Sequence, residues 1–419
     1  MTIAAHTPPS DGRIPVTLLT GFLGAGKTTL LNNLVKSPDF QNTAVLINEF
    51  GAVGIDHHLV ENLGESMVLL ESGCVCCAMR GDLVAALKDL HARLSRRQLE
   101  DVQRVIIETT GLADPVPVVA TLMEERFVSA RFRCDGVVTL VDASHGAAQL
   151  DRHSEARRQV ALADRIFITK SDLADRGSLE ELHARLGALN PTARCTPVSH
   201  GEVDVGLVTG AGVYMAREEP GQMEQLMSSW LGHEEDEAMA EGHTHHEEAP
   251  PEHAHGARQA HGADVSSFTL HFGQAVPWRG FAVTMGQILA EYGAGLMRVK
   301  GLMNVAGLAG PVVVQCVEET AYPPVRLPMW PADKGRFDMR GRLVFITHGL
   351  TPAAAVDIRE RLMNLPDDAQ ALRKLATCPL LPTRCWLAAR IPVRGRGSFE
   401  TDGFMVSPVR MRRVQQAAG

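Results

Sequence analysis

The first half of the chain alternates short apolar runs with amphipathic stretches of helical length, from Arg13 to about Tyr214. Most of the runs are β-branched and lack a two-residue period, which is typical of strands buried on both faces. Their alternation with helices predicts a mainly parallel sheet covered by helices. The predicted strands are Val16–Leu19, Thr43–Ile47, Met67–Leu70, Arg104–Ile107, Gly136–Val141, Arg165–Thr169 and Arg194–Val198, and the predicted helices include Thr28–Lys36, Asp82–Arg97, Ser154–Ala163 and Ser178–Leu189.

The alternation stops in residues 217–264, an acidic segment that holds seven of the 17 histidines. Such a composition cannot bury a core, so we expect a mobile linker. Strand and helix patterns return after it and predict a small α+β domain. Its predicted strands are Ser267–Phe272, Met297–Val305, Val312–Glu318 and Arg342–Thr347, and its predicted helices are Trp278–Tyr292 and Pro352–Met363.

These patterns predict an α/β protein with a smaller α+β domain behind it. The end of the chain is rich in Arg, Pro and Gly and shows little periodicity, so no element is predicted there. The expected parts are a flexible N-terminus in 1–12, the main domain in 13–216, the acidic linker in 217–264, the α+β domain in 265–364 and a tail of unclear structure in 365–419.

Composition excludes a membrane protein, a fibrous protein and a disulfide-scaffolded secreted protein. Apolar residues make up 45% and charged residues 21% of the 419 positions, which is globular composition. No apolar run approaches the roughly 18–20 residues that span a bilayer, and the N-terminal sequence does not resemble a secretory signal. We therefore expect a cytoplasmic protein without a membrane partner, in which thiols stay reduced and the clustered ones among the eight cysteines are weighed as metal ligands before disulfides.

The distribution of charge argues against nucleic acid as a partner. The chain carries a net charge of −8, but residues 217–264, with twelve acidic and two basic residues, account for −10. The remaining residues are close to neutral, and they contain no basic stripe of the kind that binds nucleic acid.

A glycine-rich loop, GFLGAGKT, follows the first predicted strand and precedes the first predicted helix. It fits the P-loop pattern G-x-x-x-x-G-K-[ST] in the required context. Its backbone N–H groups are expected to surround phosphate oxygens, Lys27 to reach the β- and γ-phosphates, and Thr28 to place its hydroxyl on Mg²⁺. The predicted nucleotide contacts in this loop are Gly21, Gly24, Ala25, Gly26, Lys27, Thr28 and Thr29.

Later strand ends supply the partners that a phosphate loop needs. Glu108 ends an apolar strand and precedes Gly111 by three residues, so the carboxylate is placed to hold Mg²⁺ through water and the glycine N–H to sense a γ-phosphate. Lys170 and Asp172 follow another buried strand. A carboxylate accepts hydrogen bonds from both N1–H and the exocyclic amine of guanine, a pair that adenine lacks. The spacing predicts a guanine nucleotide, with Ser199 as a further contact through its loop.

Three thiols, Cys74, Cys76 and Cys77, lie within four residues just after a predicted strand. Thiolates select Zn²⁺ or another soft or borderline ion over Mg²⁺. Three protein ligands leave the fourth tetrahedral position open, which suits exchange of the ion better than a closed structural site. Zn²⁺ is the favoured ion, Co²⁺ and Fe²⁺ remain alternatives, and buried or redox-active cysteines are the alternative to a metal site.

Two further groups are candidate metal ligands. Glu49 follows the second predicted strand and is a candidate Mg²⁺ contact or a link between nucleotide and thiols. The linker imidazoles are able to collect Zn²⁺, Ni²⁺ or Co²⁺ weakly, although the segment is otherwise explained as a solvated tether. The auxiliary ligands predicted in it are His243, His245, His246, His253 and His255.

Together the motifs resemble those of the CobW-like family of SIMIBI-class P-loop GTPases, metallochaperones that include zinc chaperones, CobW proteins and nitrile hydratase activators. The resemblance covers roughly residues 13–350 and rests on GFLGAGKTT, INEFG, SGCVCC, ETTGLADP, TKSDL, the His-rich linker, RVKG and LVFITHGL. It implies GTP hydrolysis coupled to delivery of a metal from the three thiols to a client metalloprotein, with a homodimer as one assembly to test. Thr169 stands where many GTPases have Asn, which leaves guanine recognition mainly to Lys170 and Asp172.

The sequence assigns no residue to the hydrolytic step. Leu112 follows Gly111, so no glutamine stands there to orient the attacking water, and we expect slow intrinsic turnover that rises with a partner or on dimerisation. Within the family, the alternative is insertion of cobalt or iron into nitrile hydratase or service to cobalamin synthesis. Outside it, the alternatives are a small-molecule kinase and a metal reservoir without enzymatic activity.

Overall fold

The computed structural model describes residues 12–47, 68–71, 79–99, 102–212, 265–330, 340–377 and 381–389. These residues form a parallel-sheet domain followed by an antiparallel-sheet C-terminal domain, which confirms the predicted fold class. None of the helices in these ranges combines the length and apolarity that crossing a membrane requires.

In the described part of the chain, seven parallel strands form the first sheet, in the order β3-β2-β4-β1-β5-β6-β7. Alternate residues of β4 belong to different apolar clusters: Val105 and Ile107 to one, Ile106 to the other. Both faces of the sheet are therefore buried, as continuous apolar strands require. The strands are β1 (Ile14–Gly21), β2 (Thr43–Ile47), β3 (Val68–Glu71), β4 (Arg104–Glu108), β5 (Phe132–Asp142), β6 (Arg165–Thr169) and β7 (Arg194–Pro197).

Helices cover the two faces of this sheet and leave its carboxyl edge to the connecting loops. The predicted helices are present, with ends that differ by a few residues. They are α1 (Lys27–Val35), α2 (Met79–Ser95), α3 (Val116–Glu124), α4 (Arg126–Ser129), α5 (Gly146–Arg152), α6 (Ser154–Leu162), α7 (Arg176–Leu189) and α8 (Val205–Val208).

The C-terminal domain is built on an antiparallel sheet with strand order β11-β10-β9-β13-β8, with β12 paired to β10. Helix α9 (Trp278–Tyr292) packs its apolar side on this sheet, and α10 (Pro352–Met363) lies beside it. The strands are β8 (Val265–Phe272), β9 (Leu296–Met303), β10 (Val312–Val317), β11 (Thr320–Ala321), β12 (Val325–Arg326) and β13 (Gly341–His348).

The beginning of the tail, whose structure the sequence pattern left open, belongs to the C-terminal core. Helices α11 (Asp368–Thr377) and α12 (Arg384–Leu387) follow α10. Trp386 is fully buried and stacks on Phe281 with ring centroids 5.5 Å apart. The indole N–H of Trp278 donates to the Trp386 carbonyl at 2.8 Å. A four-residue helix anchored by one tryptophan has no periodicity, so the sequence pattern could not reveal it.

Candidate functional site

The described site residues meet at the carboxyl edge of the parallel sheet. The loop of residues 21–28 follows β1, Glu108 ends β4, Lys170 and Asp172 follow β6, and Ser199 lies just beyond β7. Because β4, β1, β5, β6 and β7 are consecutive neighbours in one parallel sheet, their carboxyl ends lie along a single edge of the sheet, which is where ligands bind in open α/β folds. The fold therefore brings together motifs that are up to about 180 residues apart in the sequence.

The glycine-rich loop has the backbone geometry of an anion cradle. Gly24 and Gly26 adopt left-handed φ angles of 74° and 89°, which glycine adopts without strain. Gly26 precedes α1 and has no side chain to cap it, so the first N–H groups of that helix face the loop. The Lys27 ammonium lies across the loop and donates to the carbonyls of Gly21 at 2.8 Å and Phe22 at 3.2 Å.

Thr28 and Glu108 meet beside this cradle. The Thr28 hydroxyl donates to Oε1 of Glu108 at 3.3 Å, and the Glu108 side chain is buried. A hydroxyl and a carboxylate offer the hard oxygen atoms that Mg²⁺ prefers. The two residues therefore fit the magnesium ion that the sequence predicts there.

The Gly111 loop packs closely on the phosphate loop. A Cβ atom on Gly111 would lie 2.7–2.8 Å from the backbone N and Cα of Leu23, so only glycine allows this approach. The buried amide of Gln159, on α6, donates from Nε2 to the carbonyls of Gly111 at 3.0 Å and Ala113 at 3.1 Å. Sequence reasoning missed Gln159, because a single polar residue on an apolar helix face gives no signal of its partner.

Lys170 is held by a carboxylate that the sequence prediction also missed. Its Nζ donates to Oδ2 of Asp142, at the end of β5, over 2.7 Å. Burial would raise the pKa of Asp142, but hydrogen bonds from Lys170 and from the backbone N–H of Ser144 hold that pKa below its ordinary value. Asp142 is thus an anionic clamp for Lys170. Asp142 ends a strand that lies between those of Glu108 and Lys170 in the sequence, and this position was the signal that could have revealed its role.

The two loops after β6 and β7 are joined at their tips. The hydroxyls of Ser171 and Ser199 share a hydrogen bond of 2.9 Å, and Nδ1 of His200 lies 3.8 Å from Oδ2 of Asp172. The predicted base-recognition residues Asp172 and Ser199 therefore lie on neighbouring loops.

Thr169 stands where many GTPases have Asn, and its hydroxyl has a structural role that explains this difference. Its buried hydroxyl donates to the carbonyl of Ala25 at 2.8 Å. The end of β6 is thereby tied directly to the glycine-rich loop, so this hydrogen bond links that loop to the predicted base-recognition loop.

Several predicted metal ligands lie outside the described residues. Within the described ranges no group of three or more His, Cys, Asp or Glu side chains is placed to hold a metal ion. The predicted ligands concerned are Glu49, Cys74, Cys76, Cys77, His243, His245, His246, His253 and His255.

Two family models match the chain, one for each sheet. The model described as CobW/HypB/UreG, nucleotide-binding domain, matches residues 15–197. The model described as cobalamin synthesis protein cobW C-terminal domain matches residues 265–364. Between them the two matches cover both domains of the described fold.

The chain is also similar to curated proteins and to a solved structure. The zinc chaperone YjiA of Escherichia coli is 41% identical over 205 residues, which are 49% of this chain and 64% of that protein. The zinc chaperone CobW of a Sinorhizobium species is 29% identical over 342 residues, 74% of this chain and 86% of that protein. The crystal structure of Zn(II)-bound E. coli YjiA GTPase superimposes with a TM-score of 0.62 at 29% identity, covering 85% of this chain and 99% of that one.

Proposed function

The chain belongs to the CobW family, and from this premise we propose that it is a zinc metallochaperone that binds and hydrolyses GTP. Convergence of the phosphate loop, the Thr28–Glu108 pair and the Lys170–Asp172 loop at one sheet edge carries the proposal. Relatives named as zinc chaperones and a Zn(II)-bound GTPase of the same fold support zinc as the ion.

In the proposed nucleotide site each motif has one task. The backbone of Gly21–Thr29 and the Lys27 ammonium bind the phosphates, and Asp172 reads the guanine edge while the Lys170 stem packs on the base. Ser199 supports the base through its loop. Gly111 offers its N–H to the γ-phosphate. Mg²⁺ held by Thr28 and Glu108, with Glu49 as a further candidate ligand, would neutralise charge on the β- and γ-phosphates.

The proposed cargo site is the thiol motif Cys74, Cys76 and Cys77, which begins three residues after the end of β3. Three thiolates bind Zn²⁺ and leave one position open for a ligand of the client protein. β3 belongs to the same sheet as the strands that precede the nucleotide loops, which supports a coupling between bound nucleotide and the affinity of the thiols for zinc. The linker histidines His243, His245, His246, His253 and His255 load the site by holding zinc weakly nearby.

A matched pair of variants tests the proposal on the full chain. Replacing Cys74, Cys76 and Cys77 together by Ser is expected to lower zinc affinity at least about tenfold, because serine does not supply thiolate ligands, while GTP binding persists. Lys27→Ala is expected to show the converse, with GTP binding lost and zinc retained. Both affinities are measured by equilibrium titration.

Three outcomes would contradict the proposal. Unchanged zinc affinity in the serine variant would remove the thiols as the cargo site. ATP that displaces bound GTP as well as GTP itself does would favour a kinase. Loss of all zinc binding on deletion of residues 233–261 alone would favour a reservoir in the linker.

A further inference from the structure

A cluster of three buried charges joins the two domains. Asp164 lies between α6 and β6, and its Oδ1 accepts hydrogen bonds from Lys300, at 2.9 Å, and from Arg298. Both cations are on β9 of the C-terminal domain, and all three side chains are at most 1% exposed. Buried charges are costly unless they are paired, so the cluster strongly favours one placement of β9 against the parallel-sheet domain.

The cluster is anchored on the parallel-sheet side by backbone bonds. Oδ2 of Asp164 accepts from the N–H of Val137 on β5 at 3.0 Å, and the Asp164 N–H donates to the Val137 carbonyl at 2.8 Å. Arg298 also donates to the carbonyl of Leu162, the last residue of α6. The C-terminal domain therefore contacts the end of α6 directly.

One helical turn before this contact, the side chain of Gln159 hydrogen-bonds to the Gly111 loop. Its Nε2 donates to two carbonyls of that loop, which fixes the orientation of the amide, since the reverse orientation would set oxygen against oxygen. No group among the described residues donates to the buried Oε1 of Gln159. A loop arrangement that turns an N–H towards this oxygen would satisfy it.

The path from the loop to the cluster is short and stiff. Gln159 and Leu162 are three residues apart, about 4.5 Å along a helix axis. The buried side chain of Asn190 donates to the carbonyls of Val160 at 2.8 Å and Ala163 at 2.9 Å, which clamps the end of α6. A shift of Gln159 is therefore passed to Asp164 with little bending between them.

We propose that Gln159 is a positioning residue that couples the Gly111 loop, through this last turn of α6, to the Asp164–Arg298–Lys300 cluster. The position of the C-terminal domain against the parallel-sheet domain then sets the preference of the nucleotide site for GTP over GDP. The inference rests on the proposed function, in which the site binds guanine nucleotides and Gly111 senses the γ-phosphate. Coupling is reciprocal, so bound nucleotide equally biases the contact between the domains.

A double-variant cycle on the full chain tests this coupling. The affinities of a non-hydrolysable GTP analogue and of GDP are measured for wild type, Lys300→Met, Gln159→Leu and the double variant. Lys300→Met leaves Arg298 on Asp164, yet it is expected to change the ratio of the two affinities about fivefold or more. Gln159→Leu is expected to change the ratio too, and Lys300→Met is expected to add little in that background.

Thr320→Val is the matched control. Thr320 donates to Glu124 across the same domain boundary, but this contact does not involve α6. The control is expected to keep the wild-type affinity ratio. A change as large as that of Lys300→Met would mean that any disturbance of the boundary alters the site, and the specific path through Gln159 would be wrong.

The remaining outcomes separate this inference from the proposed function. A wild-type ratio in Lys300→Met, or effects that simply add in the double variant, would overturn the coupling while guanine binding stands. Absence of guanine-nucleotide binding by wild type would overturn both. If Lys300→Met fails to fold, Gln315→Met replaces it, because Gln315 accepts from Arg298 at 3.2 Å, and an unchanged ratio there would also overturn the coupling.

Discussion

In the proposed site, single side chains at the sheet edge decide which nucleotide is accepted. Asp172 lies beside His200, on the loop next to Ser199, while Lys170 is clamped by Asp142. The hydrogen bond to Asp142 holds the Lys170 ammonium, and in the proposed site the Asp172 carboxylate then distinguishes the bases. Specificity for guanine is therefore predicted to depend on that one carboxylate.

Asp172→Asn tests this directly. The amide replaces one acceptor oxygen with a donor, so GTP affinity is expected to fall about 10- to 100-fold, the equivalent of one hydrogen bond to a charged group. Affinity for a xanthine nucleotide, which presents an acceptor at that position, is expected to rise. Asp175→Asn, which removes a nearby carboxylate that caps α7, is the control and should keep GTP affinity. Wild-type GTP affinity in Asp172→Asn would assign base recognition elsewhere.

A substitution at Gly111 tests the contact between the Gly111 loop and the phosphate loop. Gly111→Ala forces a Cβ against the Leu23 backbone, so the loop must move away from the phosphate loop. The affinity for a GTP analogue is expected to fall about tenfold while that for GDP changes less, because in the proposed site only the γ-phosphate contacts this loop. The control is Gly187→Ala, in α7, where an added Cβ meets nothing within 4 Å. Equal loss for both nucleotides in Gly111→Ala would contradict a γ-phosphate sensor.

At the scale of elements, long periodic segments could be predicted from sequence and short or long-range features could not. Trp278–Tyr292 and Pro352–Met363 have the predicted ends, helped in the second case by the Thr351 cap and a proline in the first turn. The two-residue strands β11 and β12 exist only through pairing with β10. Likewise, the motifs placed the nucleotide loops at one edge, whereas the contacts of Gln159 and Asp142 depend on distant strands.

The short helix α12 is predicted to be an integral part of the C-terminal core. Trp386→Ala removes a fully buried ring that stacks on Phe281, so the free energy of unfolding is expected to fall by about 3–5 kcal/mol. Leu372→Ala, at an exposed position of α11, is the control, and its effect is expected to stay within about 0.5 kcal/mol. Urea unfolding of the full chain measures both. Equal stability of the two variants would place α12 outside the cooperative core.

At the scale of the whole molecule, the buried cluster links domain contact to pH. Burial would raise the pKa of Asp164, but Arg298 and Lys300 outweigh it and hold that pKa below its ordinary value. This contribution to stability is complete above the unfolded pKa of about 3.9 and is lost as pH falls through the lowered folded value.

Urea unfolding titrations at pH values between 3 and 6 test the sign of this pH dependence of stability. Wild type is expected to lose stability as pH falls below about 4, and Asp164→Asn to show a shallower loss from a lower starting stability. Asp151→Asn, which breaks an exposed pair with Arg185, should keep the wild-type slope. A slope in Asp164→Asn equal to that of wild type would show that the cluster does not control acid stability.

At the level of the whole molecule, β3 lies in the same sheet as the strands that precede the nucleotide motifs, and in the sequence the three thiols begin three residues after its end. We propose that bound guanine nucleotide controls the affinity of those thiols for zinc. Competition with a chromophoric zinc chelator measures this on the full chain loaded with a non-hydrolysable GTP analogue or with GDP. Zinc binding is expected to be about fivefold or more tighter in the GTP-analogue form. Identical zinc affinities in the two nucleotide states would contradict it.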